Sequence, residues 1–259
     1  MNKIDYLEEL KEVPISFNNV KVVPDVGSRL DWKFEVNPSE YISFAKRDFR
    51  EGSIRGLINS LGNSKRAIDC QIDRIFQALG YDPKKYPKNL NEFGEFFRDD
   101  DSVNLPAKLK VIVSFGIAPC GLVSEIRTLR NKIEHDFIVP NSTEVRRAFE
   151  TAELFVAASE RKLIDSWEFE LTCLDSKFGF YFHKMLDDFK FQCWVRTPKP
   201  VEELQKINIP RDSLLHHCIL RMTLSMDQEL EFGRSLSYLA KLLDKPFDFE
   251  SANVEFSYE

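Results

Sequence analysis

The chain has 259 residues, 43% of them hydrophobic and 30% charged, with a formal net charge of −6. That apolar share suffices for a packed core and excludes disorder as the main state, and the net acidity argues against a nucleic-acid coat protein, although a local basic face is compatible with it. Five cysteines at 70, 120, 173, 193 and 218, with no CxxC pair, suggest neither a disulfide framework nor a zinc ribbon, so reduced and mostly buried thiols are expected. No run of about eighteen apolar residues occurs, and the stretch Met1 to Val13 mixes charged with apolar residues. A soluble cytoplasmic protein with no membrane partner is the expectation.

In chain order, the first segment reads as extended. Ile15 and Phe17, Val20 and Val22, then Trp32, Phe34 and Val36 alternate with polar residues between Pro14, Pro24 and Gly27, which predicts short strands over 13–36. At Asn37-Pro38-Ser39-Glu40 the apolar period lengthens and Ser39 fits a helix cap. One long helix follows: Ile54, Leu57, Ile58, Leu61, Ile68, Ile72, Ile75, Phe76 and Leu79 share a stripe that keeps phase across Gly62, a candidate kink, and stops at Gly80. Residues 81–104 hold Pro83, Pro87 and the acidic run Asp99 to Asp101, and read as a connector with a short helix around 92–98. Helices are predicted from Pro106 to about Ser114 and from Pro119 to about Phe137, the latter ended by Pro140. Asn141 with Glu144 is a capping pattern for the next helix, which reaches about Leu163.

After Ile164 the period returns to two. Trp167 to Cys173, Phe178 to Met185 and Phe189 to Val195 predict an antiparallel meander, with a fourth strand over Leu215 to Leu224 and a last helix capped by Ser225. The fold class is therefore α+β: a helical bundle over 40–164, an extended N-terminal segment over 1–39, and a C-terminal α+β region over 165–259 with a flanking antiparallel sheet and a terminal helix. The N-terminal strands are candidates to complete that sheet.

The stretch Arg127 to Phe137 concentrates chemistry. On a helix, Asn131 and His135 lie about 200° from the apolar Leu129 and Ile133, so they turn from the core, and Arg127 sits one turn above Asn131. An imidazole can move protons near neutral pH, a guanidinium can grip a phosphate with two donors, and an amide can orient either. Arg130 and Glu134, four apart, equally fit a surface ion pair, and His135 near a helix end equally fits a dipole contact.

Arg130-Asn131-Lys132-Ile133-Glu134-His135 resembles the R-x4-H signature, with a polar residue after the Arg, of the HEPN superfamily of helical nucleases. The stretch Leu61 to Asp69 is similar to the long first helix of bacterial HEPN-like proteins, and the resemblance takes in the Pro140 break and the helix after it, roughly residues 40–163. It implies a metal-independent endoribonuclease of toxin or defence-effector type, in which the RNA 2′-hydroxyl attacks the adjacent phosphorus to leave a cyclic phosphate and a 5′-hydroxyl. His135 would be the general acid/base, Arg130 would stabilise phosphate charge and Asn131 would position one of them, with Arg127, Lys65 and Arg66 as further RNA contacts. No metal or cofactor is implied. A homodimer is, with two motifs lining one cleft, and an antitoxin or regulatory protein is a further partner. Arg130 and His135 are about 140° apart on an ideal helix, so convergence requires side-chain reach, local unwinding or pairing across a dimer. The other reading is a non-catalytic helical interaction module.

Residues 40–164 hold 20 Lys+Arg and 18 Asp+Glu, the remainder 16 and 24, so the acidity belongs to the flanks. Arg55, Arg74, Arg146 and Arg147 add to the basic residues of the bundle. A zinc site from Cys173, His183, Cys193, His216, His217 and Cys218 lacks the spacing of a finger or ribbon. The aromatics from Phe178 to Trp194 can stack bases but are read as core.

Overall fold

The computed structural model describes residues 6–30, 32–97, 105–118, 121–122, 139–164, 166–185, 190–198 and 205–258. Among these the chain is α+β, with eight helices and one six-stranded sheet, and its contacts divide it into two compact units. One comprises Leu30–Tyr86 and Phe97–Ile164; the other comprises Met1–Arg29, Pro87–Phe96 and Asp165–Glu259.

The first unit is helical: α2 (Pro38–Glu51), α3 (Ile54–Ala78), α5 (Ala107–Ser114) and α6 (Ser142–Ile164). The cap of α2 is Asn37 rather than Ser39, because Pro38 takes the first helical position and the Glu40 carboxylate reaches back to the Asn37 N–H at 2.8 Å. Gly52 turns the chain at φ +69, Ser53 Oγ accepts from Gly56 N at 3.0 Å, and α3 begins. The hairpin is tight at Gly56, where an added Cβ would stand 2.5 Å from the Asp48 carbonyl oxygen. α3 is helical throughout 54–78, Gly62 included, and ends in a Schellman pair: Tyr81 N donates to Phe76 O at 2.8 Å and Gly80 N to Gln77 O at 2.9 Å, with Gly80 at φ +81. The Asn141 and Glu144 capping pattern closes reciprocally at the start of α6, at 2.9 and 3.3 Å.

α3 and α6 run in the same direction. Leu61 packs on Val145 and Ala148, Gln71 Nε2 donates to Ser159 Oγ at 2.9 Å, and Arg74 pairs with Glu160 at 3.3 Å, so contacts advance together along both helices. α2 lies antiparallel to α3 through Asn63 and Asp48 at 2.8 Å and reaches α6 through Lys46 and Glu153 at 2.6 Å.

The second unit holds α1 (Tyr6–Lys11), β1 (Asn19–Ser28), α4 (Asn89–Phe96), β2 (Ser166–Cys173), β3 (Gly179–Met185), β4 (Lys190–Arg196), β5 (Gln205–Ile209), α7 (Leu214–Thr223), α8 (Glu229–Leu242) and β6 (Asn253–Phe256). Strand order is β5-β4-β3-β2-β1-β6. The meander is observed, and β1 does complete the sheet, antiparallel to β2. The sheet is mixed rather than purely antiparallel, because β6 adds beside β1 in parallel. One face packs Phe169, Phe180, Phe182, Phe191 and Cys193 in alternation against the helices, Phe169 meeting Phe232 of α8 and Phe191 meeting His216 of α7.

Several expectations are corrected. Among the described residues, β1 alone of the strands predicted over 13–36 forms; Ile15 and Phe17 are buried in alternation without a ladder, because burying alternate side chains does not require a paired neighbour, and residues 32–36 lead into α2 as non-strand. Leu215 to Leu224 is helix α7 and not a strand. Its apolar run is buried all round, which carries no period to separate the two, and Ser213 Oγ caps it by accepting from His216 N at 3.1 Å. Ser225 does not cap α8: its hydroxyl donates back to Arg221 O at 2.9 Å, closing α7, and α8 starts after Gln228. α1, β5 and β6 are additions to the predicted elements.

Candidate functional site

Arg127, Arg130, Asn131 and His135 lie outside the described residues, as do most of the helix predicted over 119–137 and the acidic run Asp99 to Asp101. What is described is the frame on either side. α5 ends at Ser114, where Ser114 Oγ donates to Lys110 O at 2.7 Å, and Lys108 ties this helix to Asp73 of α3 at 2.7 Å. On the far side the Asn141 cap launches α6 along α3. The motif thus sits in sequence between two helices that each hold onto α3.

The basic residues of this unit divide by environment. The exposed Arg66 donates to Asn63 Oδ1 at 2.9 Å, and Asn63 in turn reaches Asp48, so this guanidinium is steered along α3; Lys65 beside it is half-buried. Arg74, one of the added basic residues of the bundle, is nearly buried. Its side chain is 10% exposed and joins Trp32 O at 2.9 Å to Glu160, which pins the chain entering α2 to α6. Arg55 pairs with Glu51, and Arg146 lies 5.5 Å over the Phe49 ring.

The cysteines and histidines weighed as zinc ligands separate. Cys173 and Cys193 are buried on the inward face of the sheet, and burial pushes the Cys193 thiol well up. Cys218 and His217 are in α7, where burial, with the adjacent His216, holds the His217 imidazole down at about 3 and its Nε2 lies 3.2 Å from Asn89 Oδ1. Among the described residues no group of three or more His, Cys, Asp or Glu side chains is placed to hold a metal ion.

A second cluster, missed in the sequence, occupies the outward face of the sheet. Glu168 is only 11% exposed at its side chain yet carries a carboxylate. Its Oε2 lies 2.7 Å from His183 Nδ1 and accepts from Tyr181 Oη at 3.1 Å, while Oε1 accepts from the Lys184 backbone N–H at 3.2 Å. A bulge between Pro24 and Gly27 turns Asp25 to the same phenol, whose hydroxyl reaches Asp25 Oδ2 at 2.8 Å. Burial, the Asp25 hydrogen bond and the two carboxylate charges push the Tyr181 hydroxyl well above its usual range. Tyr181 stacks on His183 at 6.4 Å and 16°, and faces Trp194 edge-on at 6.2 Å. The signal that could have found this cluster is the opposite phase within the meander: Tyr181, His183 and Trp194 fall between the buried phenylalanines.

No family model, no curated protein and no solved structure matches the chain. Among the described residues no helix is long and apolar enough to cross a membrane.

Proposed function

We propose that the chain is a metal-independent endoribonuclease of the HEPN type, of the toxin or defence-effector class, with His135 as general acid/base, Arg130 stabilising phosphate charge and Asn131 positioning one of them. The observation that carries the reading is the spacing Arg130-Asn131-x3-His135 directly ahead of the Pro140 break, in a unit whose described elements are all helical. Reaction requires the 2′-hydroxyl to lose a proton as it attacks phosphorus and the 5′-oxygen to gain one as it leaves. A single imidazole near neutrality can serve both transfers, and a guanidinium can offset the charge that builds on the non-bridging oxygens. Lys65 and Arg66 on α3 and Arg127 within the motif segment supply further contacts to the RNA backbone. The protein acts as a cytoplasmic homodimer, each copy contributing one motif to a shared cleft, and its activity is held by an antitoxin or regulatory protein.

The test is incubation of the purified chain with total RNA in EDTA, beside His135→Ala and Arg130→Ala. Products ending in a cyclic phosphate and a 5′-hydroxyl are expected, with loss of about two orders of magnitude or more in rate for either variant. Cleavage that both variants retain would sink the assigned site.

A second reading, a non-catalytic interaction module, draws on Ile54 and Ile58, which stand one turn apart on α3 at 61% and 49% exposure. Paired apolar side chains at that spacing suit helix docking.

A further inference from the structure

We propose that the outward face of strands β3, β4 and β5 binds single-stranded RNA, with Tyr181, His183 and Trp194 as stacking platforms and Lys190, Arg196 and Lys206 as backbone contacts. This rests on the ribonuclease reading only in naming RNA as the nucleic acid; the surface itself is argued from the sheet.

The register places these side chains in rows across the strands. Tyr181 pairs with Trp194 and Trp194 with Lys206; His183 pairs with Gln192 and Gln192 with Asn208; Gly179 pairs with Arg196. Burial alternates cleanly along β4, so Trp194 is turned from the helices that cover the other face. Aromatic rings on that side add nothing to the packed core, and an antiparallel sheet with one solvated face ordinarily presents polar side chains there. Tyr181 and His183 are two residues apart on one strand, about 6.6 Å, a step that one nucleotide of an extended chain also covers. Their rings already lie nearly parallel, and the nearly buried Glu168 carboxylate fixes both, through the phenol hydroxyl and the imidazole Nδ1. Such prior orientation removes ordering entropy from binding.

Charge on this face is divided. Strands β3, β4 and β5 contain no Asp or Glu, and their outward positions include the cations Lys190, Arg196 and Lys206, whereas Asp25, Glu168, Glu170 and Glu255 belong to β1, β2 and β6. Trp194 therefore sits on the cationic half, and Tyr181 and His183 line its border, where Asp25 and Glu168 hold them and the carboxylates would repel phosphate and confine the strand to the track over β4 and β5. Lys206 Nζ rests 4.3 Å above the Trp194 ring. A base taking that ring face displaces the ammonium to the phosphate beside it, so one lysine serves the empty and the occupied states. Arg196 bonds Glu170 at the border. A duplex offers no exposed base faces to such a surface, which makes single strands the preferred form.

The test is fluorescence anisotropy with a short fluorescein-labelled RNA, single-stranded and as its duplex, on the full chain carrying His135→Ala in EDTA so that binding is read without cleavage. Preference for the single strand is expected, with affinity falling about tenfold or more in Lys190→Glu/Lys206→Glu and less than about twofold in Lys84→Glu/Lys85→Glu, which changes net charge equally in the helical unit. Quenching of tryptophan emission by RNA is expected to be reduced in Trp194→Phe. Equal loss in both double variants, equal binding of duplex, or no binding overturns the proposal. So does an RNA-free dimer that Lys190→Glu/Lys206→Glu dissociates, since that assigns the face to a second copy. Failure of the ribonuclease reading registers separately, as unchanged cleavage by His135→Ala in otherwise wild-type protein.

Discussion

The two faces of the sheet share strands and register but obey different physics. Phe169, Phe180, Phe182, Phe191 and Cys193 are each at most 2% exposed and are held by contact with helices, with Phe169 and Phe182 centred 5.1 Å apart. Across the same backbone, Tyr181 and His183 are held by directed hydrogen bonds to the Asp25 and Glu168 carboxyl groups. Packing on the first face depends on volume and tolerates no gap; order on the second depends on proton positions and charge. Aromatic content alone therefore does not say which face of a strand is core.

The largest effect that separates the faces is expected from Phe182→Ala, which removes a ring buried against Phe169 and Phe180 and costs about 3–5 kcal/mol. Urea unfolding reads this as a lower midpoint at unchanged slope, and a cost below about 1 kcal/mol would show that the inward face is not close-packed.

Lys184 tests the inward face with a charge, since it is in phase with Phe180 and Phe182, pairs with Phe191 and is 6% exposed. Burial, opposed by the Glu168 charge, lowers its ammonium from 10.5 to about 8. Between these values the unfolded chain binds the extra proton, so stability rises with pH from about 8 towards 10. In Lys184→Met that rise is expected to be absent, a difference on the order of 1–3 kcal/mol over the window. A rise that persists in the variant would place its origin elsewhere.

Smallest is Trp194→Phe. The indole N–H is buried and has no hydrogen-bond partner among the described residues, so its removal orphans none of them, and the stability change is expected to stay under about 1 kcal/mol. A loss above about 2 kcal/mol would make Trp194 a structural residue and erase the contrast between the faces.

How much was legible in the sequence follows from how local each signal is. α3 and α6 were readable because a one-face stripe and an end signal, Gly80 or Asn141, lie within the element itself. The meander was readable because period two persists through three segments with hairpin-length separators. α7 was not, since burial on every side erases the period that tells helix from strand. Nor was β6, a four-residue strand whose only reason to be extended is β1, more than two hundred residues earlier. Of the candidate sites, Arg130, Asn131 and His135 are visible as a motif in one short stretch. Asp25 and Tyr181 are 156 residues apart, and no local pattern joins them.

Local pattern thus suffices for the α+β class, the helices α3 and α6, the meander and a chemically dense stretch ahead of Pro140. Periods, caps and spacings are properties of neighbouring residues, and they need no knowledge of what packs where. Long-range packing adds that β1 and β6 complete a mixed sheet, that α7 is a helix, and that Tyr181, His183 and Trp194 leave the core for the outward face, where one nearly buried carboxylate holds the first two. The reason is physical. Which side of a strand is covered, and which carboxylate meets which hydroxyl, is set by the sum of long-range burial and pairing, and no single segment carries that sum.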